Sequence, residues 1–189
     1  MRIIGGKEKG RRLYTLSGLS VRPTSDRIRE ALFNILPIMS GMKLLDLFAG
    51  TGSIGIEALS RDAKRVVFVE NKSVLIKLIE RNLNECFFSG NYELLHMPTG
   101  KALHFLARRE ECFDYIFMDP PYDRAFVHGT IENIASSSIL SKNGVIIIQH
   151  SQRELIELRK ANFILEKENK YGDTLLSFIK FNSKDMVYE

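Results

Sequence analysis

Four short apolar runs, at residues 44–48, 66–69, 115–118 and 145–148, limit what this chain can become more than any other feature. Each is too dense in Leu, Ile, Val and Phe to be a strand with one wet face. Strands buried on both faces read this way in parallel sheets. Segments of helical character separate them: residues 54–60, then 74–83 with apolar residues at 74, 75, 78, 79 and 83. A weaker strand at 92–96, a helix near 102–108 and a helix over 126–136 complete the alternation. The pattern predicts an open α/β sheet, mostly parallel and seven-stranded, with helices on both faces. Its last two strands, at 163–165 and 174–181, flank the turn-rich Lys170-Tyr171-Gly172-Asp173 and have no following helix. They predict a C-terminal antiparallel hairpin closing the sheet edge.

The first 23 residues differ. They are Gly-punctuated and mostly extended, and predict a small N-terminal β-hairpin extension (residues 1–23) ahead of the main domain (24–189). Past Pro23, Thr24 reads as an N-cap with Asp26 in the first helical turn, where a carboxylate suits the helix dipole. Ile28, Leu32, Ile35 and Leu36 continue at helical spacing until Pro37.

Charge is concentrated in the same place. Residues 1–30 hold eight basic and three acidic side chains, a net of +5, while the other 159 residues carry 19 basic and 20 acidic, a net of −1. Basic residues spaced by glycines suit contacts to a phosphate backbone, and a solvated surface arm is the plainer alternative. No apolar run approaches the roughly 18 residues of a membrane span, and residues 1–6 lack a signal-peptide h-region, so no membrane role and a cytoplasmic setting are expected. Cys86 and Cys112 stand apart, and His96, His104, His128 and His150 show no ligand spacing, which argues against a metal site or a disulfide framework. Phe87-Phe88 is expected to pack under the loop after its helix, with RNA stacking as the alternative.

Residues 44–55 read Leu-Leu-Asp-Leu-Phe-Ala-Gly-Thr-Gly-Ser-Ile-Gly. This segment leaves a buried strand and enters a helix, as a nucleotide-binding loop does. Gly50 and Gly52 allow a sharp turn and a close approach that a Cβ would block. Gly50 to Gly55 fit G-x-G-x-x-G, which alone would suit a nicotinamide dinucleotide or a ligand-free turn. Asp46 tips the choice. An acid at the loop repels a pyrophosphate but can meet an ammonium group, and S-adenosylmethionine (SAM) has an ammonium and no phosphate. Glu70, 20 residues after Gly50 at the end of the next strand, can accept from ribose hydroxyls.

Asp119-Pro120-Pro121-Tyr122 follows the third run, where strand ends in such sheets face the ligand crevice beside the glycine loop. The composition suits methylation of an exocyclic amine, whose lone pair is conjugated with its ring. A carboxylate and a rigid prolyl carbonyl can each accept one N–H and favour a pyramidal nitrogen. Tyr122 offers a ring on which an extruded base can stack. An ordinary Pro-rich turn is the plainer reading.

Asp46 to Gly52, taken with Asp119-Pro120-Pro121-Tyr122, resembles the amino-methyltransferase branch of the Rossmann-like class I SAM enzymes. Arg2-Ile3-Ile4-Gly5-Gly6, Gly10-Arg11-Arg12-Leu13 and residues 22–34 narrow this to the bacterial family that methylates N2 of guanine 966 in 16S rRNA, the RsmD family. The resemblance implies that Asp119, Pro120, Pro121 and Tyr122 are the catalytic loop. It implies that Asp46, Phe48, Ala49, Gly50, Thr51, Gly52, Glu70 and Asn71 surround SAM. It implies that Arg2, Lys7, Arg11, Arg12, Arg22 and Arg27 grip 16S rRNA within an assembled or assembling small subunit, the enzyme acting as a monomer. The chain departs from the family at Lys101, where an Asp or Asn usually accepts the adenine amino group; Lys has no acceptor. Amino-methyltransferases of DNA share the Asp-Pro-Pro-Tyr chemistry but usually carry a target-recognition insertion, and no connection here is long enough for one. A non-catalytic RNA-binding assembly factor on the same scaffold is the alternative outside enzymes.

Overall fold

Branched apolar side chains on both faces turn residues 66–69 into the core of the N-terminal half, with Val66, Val67 and Phe68 fully buried. The computed structural model of the protein describes residues 1–16, 26–36, 39–121, 124–154, 156, 158 and 161–182. It divides into two compact units, 1–98 and 99–189. The expected boundary between residues 23 and 24, the Thr24 cap, Arg22, Pro37 and Tyr122 lie outside the described residues.

In the first unit the elements run α1 (Asp26–Ile35), β1 (Lys43–Asp46), α2 (Ser53–Ser60), β2 (Arg65–Glu70), α3 (Ser73–Glu85) and β3 (Tyr92–His96). The strands are parallel in the order β3-β2-β1, with Leu45 opposite Val67 and Val67 opposite Glu93. The run expected to be a strand over 44–48 leaves the ladder at Asp46, because the chain turns towards Gly50, whose φ is +54°. Every residue of α2 is buried. On α3 the buried stripe is Leu75, Ile76, Leu78, Ile79, Asn82 and Leu83, whereas Val74 is exposed. Each such buried aliphatic contributes about 1.5–3 kcal/mol.

The expected N-terminal hairpin forms. Arg2 and Arg12 bridge antiparallel, Ile3 N donates to Arg11 O (2.9 Å) and Leu13 N to Met1 O (3.0 Å). Ile3 and Leu13 are its buried side chains.

The second unit holds α4 (Thr99–Arg108), β4 (Phe113–Met118), α5 (Arg124–Ser137), β5 (Leu140–Ser151), β6 (Phe163–Tyr171) and β7 (Thr174–Phe181). β4 and β5 are parallel, β5 and β7 antiparallel, β7 and β6 antiparallel, in the order β4-β5-β7-β6. β5 is longer than its apolar run at 145–148, since its first residue pairs with Phe113 and its last with Thr174. β7 is an interior strand, and β6 is the edge. Five consecutive residues of β6, Ile164 to Glu168, are exposed, three of them charged, which blunts the edge against further pairing. Only Gly172 and Asp173 join the two strands, and Gly172 takes φ +62°, as a type II′ hairpin turn requires. The α/β fold with a mostly parallel sheet and a C-terminal antiparallel hairpin is thus the one expected. Among the described residues no helix is long and apolar enough to cross a membrane.

Candidate active site

The glycine loop is shaped by backbone first. Gly50 (φ +54°) and Gly52 (φ +77°) occupy the left-handed region, where a side chain is strained. Gly52 N donates to Ala49 O (2.7 Å), closing the turn, and Gly52 stands at the N-cap of α2. Gly55 serves a different need, since a Cβ there would come within 2.1 Å of the Phe68 ring. α2 therefore lies directly on β2. Asp46 ends β1 with 1% exposure, and Ala49 and Thr51 are also buried.

Glu70 ties this loop to the end of β2. Its Oε2 accepts from Gly50 N (3.0 Å), and its Oε1 accepts from Asn71 N and Lys72 N (both 2.9 Å). The structure thus brings Glu70, expected beside the cofactor, against Gly50 of the glycine loop. A carboxylate has about four lone-pair positions, so three N–H bonds leave roughly one for a further donor. Asn71 is exposed, and its carbonyl meets His96 Nε2 at 3.1 Å.

Two buried polar side chains that sequence reasoning missed join the N-terminal hairpin to the elements flanking this loop. Glu57, 1% exposed on α2, accepts from Ile4 N (2.8 Å), Gly5 N (2.7 Å) and Arg61 Nε (2.9 Å), with Arg29 Nε at 3.8 Å. Arg29 is fully buried and also bonds the Arg2 carbonyl and Asp26. Burial lowers the pKa of its guanidinium, opposed by the neighbouring Glu57 and Asp26. By sequence Arg29 belongs to the basic patch; in the structure it is a core cation, because its carboxylate partner lies inside. Gly5 and Gly6 permit this seating: a Cβ on Gly6 would lie 1.9 Å from Ser60 O. Lys7 N donates to that carbonyl (2.7 Å). Asn82, fully buried on α3, accepts from Tyr14 N (2.7 Å) and donates to Tyr14 O (3.2 Å) and Thr51 O (3.3 Å). It pins the segment at Tyr14 and the glycine loop to the same helix.

In the second unit Asp119 follows β4 and is half-buried, Pro120 is buried and Pro121 exposed. Asp119 Oδ2 accepts from Gln149 Nε2 at 3.0 Å. This tether comes from the neighbouring parallel strand β5, and nothing in the linear sequence signals it. Lys101 is exposed on α4, on a face it shares with His104 and Phe105. His150 is buried, its Nε2 2.8 Å from Ser177 Oγ, as a satisfied core histidine.

Of the side chains expected to grip RNA, Arg2, Arg12 and Arg27 are exposed. Lys7 pairs with Asp62 (2.5 Å), and Arg11 bonds Glu8 Oε2 and Glu85 O (both 2.6 Å). Phe87 is not packed under its loop. It is 80% exposed, with the Arg11 guanidinium 5.0 Å from its ring centre. A positive φ of 55° at Phe87 turns it outward. A signal for Glu57 did exist in the sequence, as the single charge in the otherwise uncharged Ser53–Ser60.

Comparison with known proteins places this geometry. Residues 1–180 match the family described as conserved hypothetical protein 95. The chain is 33% identical to ribosomal RNA small subunit methyltransferase D of Haemophilus influenzae, over 91% of this chain and 89% of the relative. A hypothetical protein of Thermus thermophilus superposes with a TM-score of 0.81 at 26% identity, covering 95% of this chain and 99% of the other. The ribosomal protein L11 methylase of Lactobacillus delbrueckii subsp. bulgaricus shares the fold, with a TM-score of 0.70 at 17% identity over 87% and 82% of the chains.

Proposed function

The chain belongs to the conserved hypothetical protein 95 family, the RsmD family, and from that premise we propose that it methylates the exocyclic N2 amine of guanine 966 in 16S rRNA, with SAM as methyl donor. The rRNA methyltransferase class is supported by the small-subunit methyltransferase of Haemophilus influenzae. The observation that carries the chemistry is the half-exposed Asp119 carboxylate at the end of β4, backed by Pro120 and Pro121.

The residues of the glycine loop fit SAM. Asp46 puts a buried carboxylate at the end of β1, compatible with an ammonium and hostile to a pyrophosphate. Gly50 and Gly52 leave the turn without side chains, and Glu70 retains an acceptor position for a ribose hydroxyl. Phe48, Ala49, Thr51 and Asn71 complete the surround. When bound, SAM supplies an electrophilic methyl on a sulfonium that leaves as a neutral thioether.

The protein's own part is to prepare the nucleophile. Asp119 and the Pro120 carbonyl each accept one amine N–H, drawing the nitrogen out of conjugation so that its lone pair can attack, and the methylated nitrogen then loses one proton to Asp119 or to water. Preorganised acceptors do this without rearranging at the moment of reaction. Tyr122 stacks on the extruded base. Arg2, Arg12, Arg22 and Arg27 contact rRNA phosphates, with Lys7 and Arg11 beside them. A net of +5 is modest for tight binding, so ribosomal proteins help present the site to a monomeric, cytoplasmic enzyme. Equal activity on naked rRNA and on particles would sink that last point.

The test is transfer of labelled methyl from SAM to small subunits lacking the modification, followed by nucleoside analysis. N2-methylguanosine at one position is the expected product. Label on adenine or cytosine would keep the chemistry and discard the target.

A further inference from the structure

Gln149 sits near the end of β5, one residue beyond Ile148, which pairs with Met118 in the parallel register. It is 8% exposed, and its Nε2 donates to Asp119 Oδ2 at 3.0 Å. Its Oε1 is closed to solvent and accepts no hydrogen bond from the described residues. A carboxylate can only accept, so the amide cannot turn over: with Oε1 towards Asp119, two acceptors would face one another. Asp119 therefore locks the amide with its oxygen as a vacant acceptor. A buried acceptor without a partner is unfavourable, and a bound molecule that brings an N–H to it gains by that amount.

The edge chemistry of the bases then discriminates. In guanine the amine-bearing carbon lies between two ring nitrogens, of which N1 carries a hydrogen and N3 a lone pair. In adenine and cytosine the ring nitrogen next to the amine is a lone-pair acceptor. Asp119 is partly open to solvent, and the Gln149 amide lies one hydrogen-bond length behind it, so a base edge seated on Asp119 meets Oε1 once the side chains covering that atom give way. We propose that Gln149 selects guanine: its Oε1 accepts the N1–H of the base whose N2 amine is held by Asp119. Adenine or cytosine seated there would set a lone pair against Oε1. This rests on the guanine-N2 reading above and adds the residue that enforces it.

The test compares subunits reconstituted on 16S rRNA carrying either guanine or 2-aminopurine at the target position. The second base keeps the C2 amine, but its N1 has no hydrogen. Wild-type protein is expected to prefer guanine by about 10- to 100-fold in kcat/KM, the usual effect of leaving one buried polar group unpaired. Gln149→Met, similar in length but without an amide, is expected to lower both rates through the lost bond to Asp119, and to lower the guanine rate by a further factor of about 10 to 100. The preference then collapses. Equal losses on both bases would show that Gln149 only positions Asp119, and would overturn the proposal. Equal wild-type rates on the two bases would overturn it too, with no variant needed. Nucleoside analysis of the wild-type product separates the two failures: label on a base other than guanine defeats the functional reading itself.

Discussion

The glycine loop and the Asp119 turn both follow parallel strands, yet they are held in shape by different means. Around the glycine loop the backbone itself is specified, through two left-handed glycines, a third glycine against Phe68, and carboxylate and amide side chains bonded to main-chain groups. At Asp119 the carboxylate is steadied through a side-chain bond, from Gln149. The first arrangement couples the site to the stability of its unit. The second leaves the carboxylate adjustable with less effect on folding. Changes near the glycine loop should therefore emerge mainly as lost stability, and changes at Asp119 mainly as lost rate.

The largest effect is expected from Glu57→Ala. It strands the buried Arg29 and two backbone N–H groups, for a loss of about 3–5 kcal/mol in urea unfolding. Asp119→Ala should lower methyl transfer by about 10²- to 10³-fold while costing only about 1–3 kcal/mol in unfolding, for the Gln149 amide left unpaired, and leaving RNA binding near wild type. If it unfolds as readily as Glu57→Ala, the contrast between the two regions is wrong. Gly55→Ala should cost about 1–3 kcal/mol, because the added methyl meets the Phe68 ring and helix and strand must part. A lowered melting temperature with weakened SAM binding in calorimetry is the expected pair of results.

The smallest effect is set by the two cysteines, one in each unit. Cys86 caps the C-terminus of α3, and burial pushes its thiol up from 9.0 to about 11; Cys112, ahead of β4, is exposed. Between those pH values the unfolded chain has lost the Cys86 proton and the folded chain keeps it. Stability is therefore full below pH 9 and declines as pH rises to about 11, by up to about 2 kcal/mol. Iodoacetamide at about pH 8 should label the exposed Cys112 first and the buried Cys86 only on unfolding. Early labelling of Cys86 would mean that the helix holding Thr51 through Asn82 opens more easily than its bonds imply.

Much of this arrangement was legible along the chain. The dense runs became strands, and Gly50 and Glu70 met, because a turn and the strand beside it are local. The hairpin at residues 1–13 was likewise readable from Gly-punctuated extended residues. Arg29 was not. A basic residue amid other basic residues reads as surface, and only Glu57, 28 positions away, makes it interior. Phe87 misled in the opposite sense, because its left-handed backbone turns outward a ring that hydrophobicity alone would bury.

Sequence by itself determined the α/β alternation and the two motif loops, since these depend on residue types at short, regular separations. Tertiary structure alone decided which polar groups meet: Glu57 with Arg29 and the hairpin, Asn82 with Tyr14 and Thr51, Gln149 with Asp119. Those partners lie 28 to 68 residues apart. The physical reason is that a buried donor or acceptor must find its complement wherever strand register and helix seating place one, and the linear spacing of residues carries no record of that choice.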